Sequence, residues 1–467
     1  MLLFGSRKDL ENHLKGAVSL DNGDVRLENE DKFRDKVLDD LAANAALNES
    51  REIRGLSRHI IKSAALDLGA ISASIEDLYE ARGKGKMHGF TVPAINVRGM
   101  PYPFSRTIFR AAQKINCGAF IFELAKSEMG YTHQRPHEFA MVILAAAIKE
   151  KFRGPVFIQG DHYQINAKNF SADREKETQG LKQLIKEAIN AGYYNIDIDT
   201  STLVTLDKPT VKEQQRANFE MGVEFTSHIR DLEPEGVVIS VGGEIGEVGK
   251  ENSNEEELRA YMDNFLECLG KKNKNHKGIS KISIQTGTSH GGVPLPDGSV
   301  ADVKLDFDTL EKLSRISRER YGLAGAVQHG ASTLPAELFH KFPELETAEI
   351  HLATDFQNMI YESKNFPKDL KQEIYTHLRA ECANEKKAGE TDEQFIYKTR
   401  KKGFGGKFKP RFWQLPETVQ TAIARELEGK LDFLFDQLKV RDTNKYVQQT
   451  VRPVKIRPVL KDEIEYA

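Results

Sequence analysis

The chain changes texture twice. Residues 1 to about 85 carry apolar positions at helical spacing, as in DKFRDKVLDDLAANAALNES and SASIEDLYEARGKG. That spacing predicts a helical N-terminal extension, residues 1–85. Over 86–365 short apolar runs recur, each followed by a longer amphipathic stretch. The runs are 89–97, 118–124, 155–161, 195–199, 237–246, 282–290, 324–332 and 348–355. Segments such as SRTIFRAAQKI, KETQGLKQLIKEAINAG and LDFDTLEKLSRISRERY supply helices between them. Continuous apolar runs are the pattern of buried parallel strands. Eight strand–helix units, with starts 24 to 45 residues apart, predict an α/β fold, a (β/α)8 TIM barrel. A doubly wound open sheet is the alternative that periodicity does not separate. Residues 366–467 are charged and helical again, a C-terminal extension that ends in VRPVKIRPVL.

Composition narrows the class. Hydrophobic residues make up 39% of the 467 positions and charged residues 29%, a balance that excludes bulk disorder and low-complexity chains. A formal net charge of -3 lacks the basic bias of a general nucleic-acid binder. No stretch approaches the ~18 apolar residues of a membrane span, and the apolar start MLLF is too short for a signal peptide. The three cysteines, Cys117, Cys268 and Cys382, are scattered and odd in number, which points to a reducing, cytoplasmic location.

Chemistry collects at the ends of the runs. The third run leads into Asp161 and His162, the fifth into Glu244, and the sixth into His290-Gly291-Gly292. The seventh carries His329-Gly330-Ala331-Ser332, and the eighth His351, Thr354 and Asp355. In a TIM barrel the C-terminal strand ends form one mouth. Histidines 162, 290 and 329 would meet there as a three-histidine metal site with an open position. That is the pattern of catalytic zinc, which cobalt, manganese or iron can also occupy. Backbone N–H groups of the glycine-bearing loops could cradle a phosphate. No Walker, GxSxG or Rossmann motif is found. The basic connector 398–413, KTRKKGFGGKFKPRFW, reads as a solvated loop or as an anion-binding arm, with Arg400 and Arg411 as its cations.

The ordered set FTVPAIN, GDH, EIGEVG, GTSHGG with LDFDTLEKL, QHGAS and TDFQ resembles the class II, metal-dependent fructose-bisphosphate and tagatose-bisphosphate aldolases, over about residues 85 to 360. The resemblance implies a lyase of carbohydrate metabolism, in glycolysis or gluconeogenesis. It would split fructose 1,6-bisphosphate reversibly into dihydroxyacetone phosphate and glyceraldehyde 3-phosphate. It also implies a divalent metal, Zn2+ by default, room for a monovalent cation, and a homodimer or larger homo-oligomer. Carried over by position, His162, His290 and His329 resemble the metal ligands. Glu244 and Asp199 resemble an alternative metal position. Asp161 resembles the acid/base at the cleaved bond, and Glu251, in an acidic loop, the second proton carrier. Asn96, Gly291, Gly330, Ser332, His351, Thr354 and Asp355 fall at substrate contacts.

The departures bear on the substrate. His351 and Ala353 stand where the family shows Asn and Asp, Asn252 stands where many members carry a glutamate, and the strand-2 end reads Glu123-Leu124-Ala125-Lys126. Two alternatives therefore stand beside the default: an aldolase for another ketose phosphate such as tagatose 1,6-bisphosphate, and a non-catalytic aldolase-like subunit. A metal-dependent hydrolase on the same barrel lacks its His-x-His on the first strand.

Overall fold

In the computed structural model the described residues are all but 22, 247–250, 288–294, 297–304, 332 and 333. The strands are β1 (Val18–Asp21), β2 (Asp24–Leu27), β3 (Ala70–Ala73), β4 (Val92–Asn96), β5 (Ile121–Ala125), β6 (Gly154–Gln164), β7 (Asn195–Asp199), β8 (Ser240–Glu244), β9 (Lys281–Ile284), β10 (Ala326–Gln328) and β11 (Glu349–Leu352). Each of β4 to β11 pairs in parallel with its successor, and β11 pairs with β4 through Glu349↔Val92 to Leu352↔Ile95. The sheet therefore closes into an eight-stranded parallel barrel with helices around it, and the open-sheet alternative is excluded. Strands β4, β5, β7, β9, β10 and β11 are buried at every position, which is why their sequences read as runs rather than as alternation.

Local chemistry ends the crossover helices cleanly. Asp306 accepts from the Thr309 N–H at 3.0 Å to start the helix Phe307–Tyr321, and Gly322, at φ 69°, ends it. Asp173 and Gly192 do the same for Arg174–Ala191. An acceptor side chain satisfies an orphan N–H at the start, and glycine takes the left-handed turn at the end.

The N-terminal segment is helical, but it also holds strands that the periodicity missed. β1 and β2 form an antiparallel hairpin, and β3 pairs in parallel with the first residues of β6. Ala-Ile-Ser-Ala carries little β-propensity; it is a strand because β6, eleven residues long, offers it an edge. The helix Glu76–Gly83 closes the N-terminal end of the barrel, where Leu78 and Tyr79 pack with Val92, Ala94, Ile121 and Phe157. A second apolar cluster runs from Phe4 to Val440 and joins both terminal regions to the barrel helices. The helix Leu460–Glu465 lies on Arg51–Leu68 at Gly55, where a Cβ would stand 2.7 Å from Ile464 Cα.

The basic connector is neither a solvated loop nor a free arm. Phe404, Phe408 and Phe412 are buried, Arg400 pairs with Glu362 at 2.9 Å, and Arg411 pairs with Glu373 at 2.9 Å. Both arginines are neutralised within the chain, because the aromatics interleaved with the cations pull the segment onto the helix Thr354–Glu362. Among the described residues no helix is long and apolar enough to cross a membrane.

Candidate active site

β6 builds the centre of the site. Its pairing with β7 shifts register between Gly160 and Tyr163, and His162 takes φ 41°. A bulge of this kind bends the strand and re-aims its side chains, and a positive φ at histidine is a strained conformation that the surroundings must hold. Gly160 makes it feasible. A Cβ there would fall 2.4 Å from the Tyr163 ring, so Gly-Asp-His-Tyr forms a unit in which Tyr163 folds back over the glycine.

The bulge brings His162 among three carboxylates. Its Nδ1 is 3.2 Å from Asp199 and 3.5 Å from Glu244, and its Nε2 is 3.8 Å from Asp161. Asp199 also accepts from the Ser201 N–H and hydroxyl at 3.0 and 2.7 Å, and from Gln164. Burial alone would raise the Asp199 carboxyl, but these donors outweigh it and hold it below its ordinary value. Burial likewise opposes charge on His162, yet Asp161, Asp199 and Glu244 together raise it well above the usual imidazole range. The His329 ring lies 4.3 Å from that of His162 and 3.9 Å from that of His351. β10 is clamped behind it: Thr286 donates to Gln328 at 2.7 Å, and Gln328 donates to the His329 carbonyl at 2.6 Å.

Below the mouth the barrel is ionic, where TIM-barrel interiors are ordinarily apolar layers. Lys281 reaches Gln159 at 2.8 Å, Asp197 at 3.0 Å and Glu349 at 2.5 Å. Tyr79, from the closing helix, also donates to Glu349. Burial raises Asp197 to about 6 although Lys281 opposes it. Glu349 sits well below its ordinary value, because Lys281, His351 and Gln159 outweigh its burial. His351 spans this layer and the next, with Nε2 2.8 Å from Glu349 and Nδ1 2.7 Å from Glu123. Burial pushes Glu123 up to about 8, with the charges of Asp161 and Glu349 adding to the effect and His351 opposing it.

A cavity of about 480 Å3 opens above these groups, lined among others by Arg98, Lys126, Asp161, His162, Gly330 and Thr354. That size suits a small metabolite. Of the residues expected at the site, Asp161, His162, Asp199, Glu244, His329 and His351 come together, and Gly330 and Thr354 line the cavity. Asn96 instead accepts from Arg98 at 2.9 Å and donates to Glu128. Asp355 pairs with Lys430 on the outer helix Glu417–Gln437 at 2.8 Å. Glu251 is exposed and does not line the cavity. His290, Gly291 and Ser332 lie outside the described residues. The sequence reading did not single out Arg98, Gln159, Gln164, Asp197, Lys281 or Glu349. A signal existed, because Gln159/Asp161, Asp197/Asp199, Lys281/Ser283 and Glu349/His351 are polar pairs two apart, which in a strand share one face.

The sequence pattern of the family described as Fructose-bisphosphate aldolase class-II matches residues 77–434. The chain belongs to that family. No curated protein is similar enough to count as a relative. Among solved structures, the chain is similar to the native fructuronate-tagaturonate epimerase UxaE of Cohnella laeviribosi, at 12% identity and TM-score 0.57, over 93% of this chain and 90% of that one. It is also similar to the fructose-bisphosphate aldolase of Campylobacter jejuni, at 16% identity and TM-score 0.47, over 81% of this chain and 98% of that one. The first likeness supports the fold, including both terminal regions. Family membership supports an enzyme, and metal dependence is general in the family. The clusters Asp161–His162–His329 and His162–Asp199–Glu244 have the spacing to hold an ion.

Proposed function

We propose that this protein is a metal-dependent aldolase that splits a phosphorylated ketose, fructose 1,6-bisphosphate by default, into dihydroxyacetone phosphate and an aldehyde. The observation that carries this reading is the convergence of Asp161, His162 and His329 from β6 and β10 on one cavity. Imidazole nitrogens beside carboxylate oxygens form a donor set that fits a divalent transition ion. His162 and His329 would hold it, with Glu244 and Asp199 at its flank. When bound, such an ion supplies Lewis acidity toward the ketose carbonyl.

In this reading Asp161 takes the hydroxyl proton from the carbon that becomes the aldehyde. The bond to the neighbouring carbon breaks, and its electron pair moves toward the ketose carbonyl. Glu251 is the proposed donor of the proton that this carbon then needs. Gly330 and Thr354, with Arg98 and Lys126 across the cavity, are the proposed contacts for an anionic substrate. Three free cysteines support the cytoplasmic reading, and a homo-oligomer is the proposed assembly. Release of triose phosphate from fructose 1,6-bisphosphate, followed enzymatically, tests the proposal. No release by metal-loaded protein rejects the default substrate.

A second reading shares the chemistry. The epimerase fold covers both terminal regions of this chain as well as the barrel. Retro-aldol cleavage followed by recombination on the other face of the aldehyde inverts one carbon without net cleavage. A ketose acid such as fructuronate would then be the substrate, and its conversion to the epimer, followed by NMR, separates this reading from the first.

A further inference from the structure

The basic connector 398–413 holds seven lysines and arginines, and the fold treats them unequally. Lys398 pairs with Glu390, Arg400 with Glu362, Lys402 with Glu385, Lys409 with Glu138 and Arg411 with Glu373. Among the described residues, Lys401 and Lys407 form no ion pair. Lys407 is exposed, whereas Lys401 is half-buried. The Lys401 ammonium stands over the Tyr131 ring, 5.6 Å from its centroid. Burial lowers Lys401 below its ordinary value, with the charge of Arg98 adding to the effect and Glu128 opposing it. A ring face offsets only part of the cost of desolvating an ammonium. A half-buried lysine without a carboxylate partner therefore suits an anion from outside the chain.

Packing fixes this lysine beside the cavity. A Cβ on Gly405 would collide with the Tyr131 carbonyl oxygen, and one on Gly99 would fall 2.5 Å from the Phe404 ring. The two glycines let the connector press onto the helix Lys126–Thr132 and onto the loop that carries Arg98. That helix presents Lys126, Glu128 and Gly130 to the cavity, and Tyr131 follows directly. Burial raises the Tyr131 phenol, with Glu128 adding and Arg98 opposing, so Tyr131 and Lys401 both stand in the field of the Arg98–Glu128 pair. Glu128 is already engaged. It is held by Arg98 at 2.8 Å, by the Ala125 N–H at 2.9 Å and by Asn96. Arg98 in turn contacts Asn96, Gln357 and Glu128, which leaves N–H groups of its fork for a ligand.

We infer that Lys401, supplied by the C-terminal region, is a specificity-determining residue of the cavity. With Arg98 it takes the anionic terminal group, phosphate or carboxylate, of the substrate end remote from His162 and His329. The inference rests on the proposed reading of the cavity as the substrate site. It gives the connector a binding role through Lys401, where Arg400 and Arg411 are neutralised within the chain. A compact ammonium on a flexible stem suits either anion, and the Arg98 fork adds directed hydrogen bonds.

Two measurements on the zinc-loaded full chain test this. Neither reads cleavage, so failure here is distinct from failure of the proposed function. In the first, lysine acetylation by an N-hydroxysuccinimide ester is read by peptide mass spectrometry with fructose 6-phosphate, fructuronate or fructose present. Fructose 6-phosphate or fructuronate should protect Lys401 and leave Lys407 labelled, and fructose should protect neither. Protection by the phosphate ester alone assigns a phosphate end, and by the acid alone a carboxylate end. In the second, the protecting ligand is titrated calorimetrically. Its Kd should rise about tenfold or more in Lys401→Met, the scale of a hydrogen bond to a charged group. Lys401→Arg should keep most of the affinity, and Lys407→Met all of it. Protection by neither anion, equal protection by fructose, or a Lys401→Met protein that binds as tightly as the unchanged one overturns the inference. If Lys401→Met does not fold, the protection pattern decides alone.

Discussion

His162 Nδ1 lies 3.2 Å from Asp199 Oδ2 across the β6–β7 register shift. Asp199 is saturated by Ser201 and Gln164, so it remains an anion and favours the proton on Nδ1. That leaves Nε2, on the Asp161 side, for a ligand. Loss of such a supporting carboxylate typically weakens metal affinity about 10–100-fold. Asp199→Asn should therefore bind Zn2+ about 10–100-fold more weakly by competition with a chelating dye. Unchanged affinity would mean that Asp199 does not orient His162.

Gly160 is required by contact rather than by its φ. The Cβ of Gly160→Ala would meet the Tyr163 ring at 2.4 Å, and the ring is fully buried, so the strand must shift. Overpacking of this kind costs about 1–3 kcal/mol. The bulge that aims His162 should move with it. Denaturant unfolding and Zn2+ affinity should fall together. A stable variant with intact metal binding would contradict the role assigned to the bulge.

Lys281 ties the carboxylates of the barrel floor together. Lys281 pairs with Asp197 and Glu349, and all three are buried. Lys281→Met removes the lysine and leaves Asp197 and Glu349 sharing His351, a change that costs about 3–5 kcal/mol when a buried pair is broken. Urea unfolding should show a loss of that order. A loss under about 1 kcal/mol would mean that protonation absorbs the change.

The C-terminal helix is held by a buried triad. Glu463 Oε1 is 2.6 Å from Lys62 and its Oε2 is 2.9 Å from His137. Burial would raise the Glu463 carboxyl, but Lys62 and His137 outweigh it and hold it at about 2. Burial lowers His137 to about 4. Both groups bind fewer protons folded than unfolded, so their contribution is present above the ordinary imidazole value and is lost as pH falls toward 4 and then 2. The melting temperature should drop over that window. Glu463→Gln should be less stable than the unchanged protein at pH 7, and the gap should narrow toward pH 3. A gap independent of pH would remove the triad from the account.

The strand ends could be read in advance because each functional group there sits in a short segment with glycine or a second polar residue: Gly160-Asp161-His162, His329-Gly330, Thr354-Asp355. Parallel topology then brought β6, β7, β8, β10 and β11 to one mouth. The ionic floor was harder. Glu123 and Glu349 stand within apolar runs on separate strands, Lys281 stands just before another, and linear spacing does not say that Lys281 falls between Asp197 and Glu349. Tyr79 reaches Glu349 from a helix that reads as part of the extension. Asp355 and Asn96 went the other way. Motif position put them at the substrate, but Asp355 faces Lys430 on a helix of the C-terminal region, and Asn96 is engaged by Arg98 and Glu128.

The central claim is carbon–carbon bond cleavage at the His162–His329 centre with Asp161 as the proton acceptor. The most direct measurement is triose phosphate release from fructose 1,6-bisphosphate by zinc-loaded protein, by the same protein after chelation, and by Asp161→Ala carrying the same metal content. The account predicts turnover that chelator abolishes and zinc restores, with a loss of about 100-fold or more in Asp161→Ala, the scale of a missing general base. Turnover that survives chelation, or an Asp161→Ala enzyme as fast as the unchanged one, would contradict it.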